Sequence, residues 1–270
     1  MRQSLLRMIS IWLLAAAFLC PAPQAHARTR RPAKPAHAAP AAKPATKPAA
    51  DPAARPATAA SADANAILRP VFTVDGQALE AGTAFVVRLG GGAVLLVTAH
   101  HLFGPDGGWD RDLTWEELPK LVTAVRATGA GGAVVVTGQR PLAMEGTATF
   151  HGNPAGGDVA AFKIADPGHA TVLALAPNAP KAGDRIFLLA QVGSDQLLRH
   201  AATVAQVGPQ HVMYRFDDRV ELRATSGAPL VDAQNRVVAI NLAGGGNPVI
   251  GVGNPVHAFG PKLERAVGAH

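Results

Sequence analysis

An all-β barrel or sandwich is the fold that residues 63–270 predict, and three observations lead there. Short apolar runs rich in Val, Ile and Leu recur along the segment. Glycine-bearing turns separate them. Helical periodicity is almost absent, so the elements read as strands of a β-rich core rather than as a bundle.

The elements follow in chain order. Thr83–Val87 and Ala93–Val97 flank Gly90-Gly91-Gly92, and two apolar runs about a glycine turn predict a hairpin. Further strands are expected at Ala133–Thr137, Val159–Ile164, Arg185–Leu189, His200–Val207, His211–Phe216, Val237–Leu242 and Val249–Gly253. Asp232–Asn235, between Pro229–Val231 and Arg236–Leu242, reads as a second tight hairpin turn. Leu113–Leu121 has room for a turn or two of helix, and Phe259–Val267 for a short closing helix. No internal repeat is visible, though two barrels of about 90–100 residues each fit the length.

The first 62 residues differ in kind. Arg2 and Arg7 precede an apolar stretch from Ile9 to Leu19, and Ala25-His26-Ala27 offers small residues where a signal peptidase reads. Residues 1–27 are therefore expected to be a secretory signal peptide cleaved after Ala27. An apolar stretch of roughly eleven residues is short of the ~20 that span a bilayer. A lipoprotein leader needs a small residue before Cys20, and Leu19 is not small. Cys20 is the one cysteine of the chain, so no internal disulfide can form. Residues 28–62 are nearly all Ala, Pro, Lys and Thr, and recurrent proline removes amide donors and fixes φ, which predicts an extended tether.

Charge is just as unevenly placed. The chain carries +6 overall, but residues 28–62 hold seven Lys or Arg against Asp51 alone. From Asp63 onward there are 16 basic and 18 acidic residues, so the globular part is no basic nucleic-acid binder. The tether's charge suits loose association with an anionic envelope surface, and a plain solvated spacer explains it equally well. The expected location is the periplasm or the exterior of a bacterium.

Three local motifs carry the chemistry. An apolar strand ends in Thr98-Ala99-His100-His101. Asp158 opens the apolar run Val159–Phe162 after Gly156-Gly157. Ser226 stands in the turn Thr225-Ser226-Gly227 that leads into Ala228–Val231. A hydroxyl is a poor nucleophile while it keeps its proton, so attack on an amide or ester needs a base beside it. Histidine takes and returns a proton near neutral pH. A carboxylate against the imidazole sets its tautomer and steadies the imidazolium.

In these motifs the sequence resembles the chymotrypsin/trypsin-like serine peptidases, specifically the compact bacterial secreted branch, over roughly Ala81 to Val267. The order His, Asp, Ser is the one that family uses. The resemblance implies two packed antiparallel β-barrels with the site at their seam and a short C-terminal helix. It implies His101 as general base, three residues after Thr98 and so preferred to His100, Asp158 as its orienting carboxylate and Ser226 as nucleophile. Asp106, Asp110 and Asp112 are further carboxylates, but the Gly-Asp-Val-Ala-Ala-Phe context favours Asp158. The N–H groups of Ala224 and Ser226 would form the oxyanion hole. Val220 would floor the pocket for the side chain before the scissile bond, with no counter-ion for Lys or Arg, and Asn241, Leu242, Ala243 and Gly244 would form the strand that pairs with an extended polypeptide substrate.

Two positions depart from the family pattern. Ala224 stands where glycine is usual, and if the turn needs φ > 0 its Cβ costs roughly 1–2 kcal/mol. Thr225 replaces the acidic or amide residue before the nucleophile, which removes an activation switch based on a freed N-terminus. An exported serine endopeptidase is the expected function; the rival is a trypsin-like fold with a decayed oxyanion hole, kept as a peptide-binding or envelope-interaction module. No cofactor or metal is expected: His100, His151, His200, His211 and His257 show no ligand spacing, and Gly90–Gly92, Gly129–Gly132 and Gly244–Gly246 lack the Lys-Ser/Thr of a phosphate loop.

Overall fold

Glycine and Asx turns fold the apolar runs into antiparallel hairpins, and the hairpins curl into two barrels. The structure, a computed structural model, describes residues 57–268 apart from 131, 133–134, 152 and 194–196. Residues 1–27, expected to be a signal peptide, and residues 28–56 of the expected tether lie outside the described residues. Helix α1 (Ala57–Ala66) starts directly after Pro56, inside the stretch expected to be extended through residue 62. Pro56 is the last proline before it, so nothing further along removes a ladder donor. Arg199 holds this helix through Asp63, with Nη2 to Oδ1 at 2.8 Å and Nε to Oδ2 at 3.1 Å. The Thr171 N–H donates to the Asn65 carbonyl at 3.0 Å.

The first barrel is built from β1 (Leu68–Val74), β2 (Gln77–Glu80), β3 (Phe85–Arg88), β4 (Val94–Thr98), β5 (Val122–Gly129), β6 (Val135–Pro141) and β7 (Ala160–Ile164). They pair in the order β3-β4-β7-β6-β5-β1-β2, and a single bridge from Leu68 to Ala84 returns β1 to the start of β3. Pro70 sits in β1 without cost. Leu68 N–H points to Ala84, so strand alternation aims the Pro70 nitrogen at the gap between that bridge and the end of β2, where no ladder donor is needed. Phe72, Phe103 and Phe162 fill this barrel, with ring centroids 4.6, 5.7 and 6.3 Å apart.

The second barrel comprises β9 (Arg185–Leu189), β10 (Arg199–Val207), β11 (Val212–Phe216), β12 (Pro229–Val231), β13 (Arg236–Gly245) and β14 (Ile250–Pro255). The order β12-β9-β10-β11-β14-β13 closes on itself through the β12–β13 hairpin, a ring of six. Strand β8 (Val172–Leu175) departs from the purely antiparallel expectation: it pairs parallel with β3 on one side and with β13 on the other, joining the two barrels. Helix α2 (Leu118–Leu121) occupies the segment expected to turn helical, and α3 (Val256–Gly268) closes the fold. The face of α3 that carries Val256, Phe259, Leu263 and Ala266 is buried, at the spacing of an amphipathic helix.

Candidate active site

The site begins where β4 ends. Thr98 Oγ1 donates to the Thr83 carbonyl at 2.7 Å, and a single 3-10 turn, His100–Phe103, then sends successive side chains in different directions. His100 points inward, its Nε2 donating to the Leu113 carbonyl at 2.7 Å while Nδ1 finds no partner among the described residues. Burial pushes the His100 pKa below its ordinary 6.5, against the raising effect of the Leu113 carbonyl and of Asp158 and Asp112.

His101 faces Asp158. The carboxylate is fully buried and accepts three N–H groups: His101 N on Oδ1 at 3.0 Å, and His101 Nδ1 and Phe150 N on Oδ2 at 2.7 and 2.9 Å. Asn254 Nδ2 donates to the Asp158 backbone carbonyl at 3.1 Å and fixes the peptide behind it. An ionised carboxylate only accepts, so neutral His101 carries its proton on Nδ1 and presents the Nε2 lone pair. Burial alone would lower the His101 pKa, but the Asp158 hydrogen bond and charge, with Asp106 and Asp112 farther off, outweigh it and raise the pKa above 6.5.

The Ser226 turn comes from the second barrel and is docked on the same strand ends. The Thr83 N–H donates to the Ser226 carbonyl at 2.8 Å. Gly227, at φ +85°, has no room for a side chain: a Cβ there would lie 2.2 Å from the Thr83 carbonyl oxygen and 2.4 Å from Thr98 Oγ1. Glycine is thus what lets the serine turn approach the residues that lead into His101. The Ser226 hydroxyl donates to the Leu242 carbonyl at 2.9 Å, and among the described residues it makes no hydrogen bond to His101.

Ala224 takes the left-handed conformation, φ +59°, that the sequence made a question. Its Cβ costs roughly 1–2 kcal/mol there. Among the described residues neither the Ala224 nor the Ser226 N–H donates to a protein acceptor, and Ala224 is exposed. The Ala224 carbonyl accepts from Arg69 Nη1 and from Thr83 Oγ1, each at 2.9 Å. Asn241 Nδ2 donates to the Thr225 carbonyl at 3.0 Å and to Thr225 Oγ1 at 2.9 Å, and the Tyr214 hydroxyl donates to Asn241 Oδ1.

This gives Asn241 a place unlike the expected one. It is fully buried, its backbone is bonded to Gly227 and Ala228, and its side chain props the serine turn rather than facing a substrate. Leu242 is buried as well, at a bulge between Asn241 and Ala243 where its carbonyl takes the serine hydroxyl. The exposed edge of β13 therefore starts at Ala243 and runs through Gly244 and Gly245. An expectation drawn from four consecutive residues could not separate the part of a strand paired inside its barrel from the part that leaves it.

Ala243 lies between two cavities. One, about 420 Å³, opens beside His101 and is lined by Phe150, Asn153, Leu242 and the paired side chains of Asp106 and His151. The other, about 630 Å³, is walled by Val220, Leu222, Gly244 and Val249, with exposed Arg219, Glu221 and Arg223 at its mouth. Val220, the expected floor residue, is buried and also borders a third cavity of about 420 Å³ with His200. Arg69 and the prop formed by Tyr214 and Asn241 had no signal in the sequence beyond a charge inside an otherwise apolar strand.

Comparison with known proteins agrees with this architecture. The family described as the trypsin-like peptidase domain matches residues 82–240. Among solved structures, an inactive-form serine-to-alanine mutant of Rv3671c from M. tuberculosis aligns over 82% of this chain and 95% of its own, at 16% identity and a TM-score of 0.51. A Glu endopeptidase in complex with MPD aligns over 79% and 94%, at 15% identity and 0.52. Kallikrein-related peptidase 10 in complex with Zn2+ aligns over 77% and 97%, at 13% identity and 0.52. These likenesses are likenesses of fold. No curated protein sequence matches the chain. The family match takes in His101, Asp158 and Ser226 and covers more than half of the sequence: the chain belongs to the trypsin-like peptidase domain family.

Proposed function

We propose that the chain is a serine endopeptidase that cleaves polypeptides through an acyl-enzyme on Ser226. The observation that carries the reading is the buried carboxylate of Asp158, which takes both the backbone and the ring N–H of His101 and leaves Nε2 free as a base. In the proposed cycle Ser226 Oγ attacks the scissile carbonyl carbon while His101 Nε2 takes the hydroxyl proton. The carbonyl oxygen, now negative, is met by the N–H groups of Ala224 and Ser226. The C–N bond breaks as His101 returns the proton to the leaving amine, and water then hydrolyses the ester by the same route.

Leu242 links binding to this chemistry. Its carbonyl holds the serine hydroxyl, and it borders the exposed strand edge from Ala243 to Gly245. An extended substrate adding itself to that edge brings its own N–H to the Leu242 carbonyl and releases Oγ to turn toward His101. Val220 and Val249 favour small or aliphatic side chains in the cavity of about 630 Å³. The expected site of action is outside the cytoplasm, on the strength of the segment 1–27, with the tether's positive charge favouring loose association with an anionic envelope. No helix among the described residues is long and apolar enough to cross a membrane.

A second reading rests on one observation, that the serine hydroxyl is bonded to Leu242 rather than to His101. On that reading the cleft binds peptides and does not cut them. Incubation of the purified chain with an unfolded polypeptide, followed by mass spectrometry of the fragments, separates the two. Fragments that disappear in Ser226→Ala support the peptidase; an intact polypeptide that still binds supports the module.

A further inference from the structure

The two N–H groups required by the proposed oxyanion hole belong to a turn that its own residues hold only in part, Thr225 Oγ1 donating to the Leu222 carbonyl at 2.8 Å and the Ala228 N–H to the Thr225 carbonyl at 2.9 Å. Ala224 is strained at φ +59°. Thr225 has no charge with which to anchor the turn from within. A further anchor comes from the other barrel, as the Arg69 side chain of β1. Nη1 donates to the Ala224 carbonyl at 2.9 Å, to Thr83 Oγ1 at 3.1 Å and to the Gly82 carbonyl at 3.2 Å. Nη2 donates to the Gln191 carbonyl at 2.5 Å. Thr83 Oγ1 donates its own hydrogen bond to the same Ala224 carbonyl at 2.9 Å.

A direct ion pair does not account for this placement: among the described residues every acceptor of the half-buried guanidinium is neutral, and the Glu80 carboxylate acts on it only through space. Geometry does. A carbonyl and the following N–H share one rigid plane, so a held carbonyl orients the next amide. Arg69 and Thr83 hold the carbonyl of Ala224, and the Thr225 N–H at the other end of that plane donates to the Leu222 carbonyl at 3.3 Å. Asn241 holds the next carbonyl, that of Thr225, and so sets the direction of the Ser226 N–H. Two consecutive planes are pinned, one of them by a residue 155 positions away.

We propose that Arg69 is a positioning residue: by gripping the Ala224 carbonyl across the seam of the barrels it fixes the peptide plane that lies between the two carrying the Ala224 and Ser226 N–H groups, and so keeps the turn in the form that offers both amides to the oxyanion. The proposal rests on the peptidase reading above. A charge supplied by a strand already in place leaves the hole formed without any cleavage that frees a new N-terminus.

The test uses the full chain with Arg69→Met and Arg69→Lys, reading kcat and KM on a peptide substrate, thermal stability, and hydrogen exchange of the segment 222–226. Arg69→Met is expected to lower kcat by about 10²–10³, the loss typical of one oxyanion donor, with KM changed less than about threefold. Arg69→Lys falls between, since an ammonium cannot reproduce the fork. The Thr225 amide exchanges faster in Arg69→Met. If kcat is unchanged, or if the two variants are equally impaired in step with a lowered melting temperature, the residue is merely structural and the proposal is overturned. If Arg69→Met does not fold, Thr83→Val removes the other donor to the Ala224 carbonyl; about a tenfold loss in kcat supports the clamp and no loss overturns it. Should the unmodified chain cleave nothing, the peptidase reading fails by itself, and exchange at Thr225 alone decides whether Arg69 holds the turn.

Discussion

The barrel that carries His101 and Asp158 and the barrel that carries Ser226 are prepared to different degrees. In the first, three N–H groups converge on a buried carboxylate, and the imidazole has one tautomer and one orientation before any substrate arrives. In the second, the turn is placed with equal care, by Gly227 against Thr83 and by Asn241 against Thr225, yet the hydroxyl itself is bonded to Leu242. On the peptidase reading, the proposed base His101 is set by the stability of its barrel, and the proposed nucleophile Ser226 by whatever occupies the edge of β13. Changes in the first half should cost chemistry and stability together, and changes in the second half chiefly chemistry.

The largest effect expected is from the proposed nucleophile. Ser226→Ala should lower kcat by on the order of 10⁶ and leave the melting temperature within a degree or two, because its hydroxyl makes one partly buried hydrogen bond. Next comes Asp158→Asn. An amide in place of the carboxylate favours the wrong tautomer of His101 and should cost about 10⁴ in kcat. It also turns one of its three hydrogen bonds into a donor–donor clash, so a fall in thermal stability should accompany the kinetic loss. Loss of activity at unchanged stability would erase the contrast between the two halves.

The pH profile sharpens the same comparison. Protonated His101 cannot accept the serine proton, so kcat/KM should fall as the pH drops through its pKa. Asp158 holds that pKa above 6.5, which puts the midpoint of the acid limb above 6.5 in the free protein. In Asp158→Asn the limb should move to lower pH. The smallest expected effect is from Ala224→Gly. Removing a Cβ from φ +59° should stabilise the fold by roughly 1 kcal/mol, read as a rise of about 2–4 °C in the melting temperature.

Much of the first half was legible, because its signals are local. The Thr-Ala-His run places His101 one turn past a strand end, and Gly156-Gly157 marks the turn before Asp158. The Gly90–Gly92 hairpin and the hairpin about Asp232–Asn235 form where the sequence puts them. Four strands had no such reading. β1 contains Pro70, which argues against a strand unless its missing donor falls in a gap, and only the assembled barrel shows that gap. Its turn to β2 did carry a signal, Asp75-Gly76, whose two positive φ values suit a two-residue hairpin. β5 pairs with its neighbour β6 but completes its ladder on the distant β1, and both partners of β8 come from distant segments. The burial of Asn241 and the grip of Arg69 on Ala224 depend on contacts between residues far apart in the chain, and no local pattern reports these.

One measurement bears most directly on whether the two halves act as a single site: labelling of the purified chain by a fluorophosphonate, with the modified residue located by mass spectrometry. The account predicts a covalent adduct on Ser226 alone, lost in Ser226→Ala and in His101→Ala and slowed in Asp158→Asn. An adduct that forms at the same rate without the His101 imidazole, or a folded chain that takes up no label at all, would contradict it.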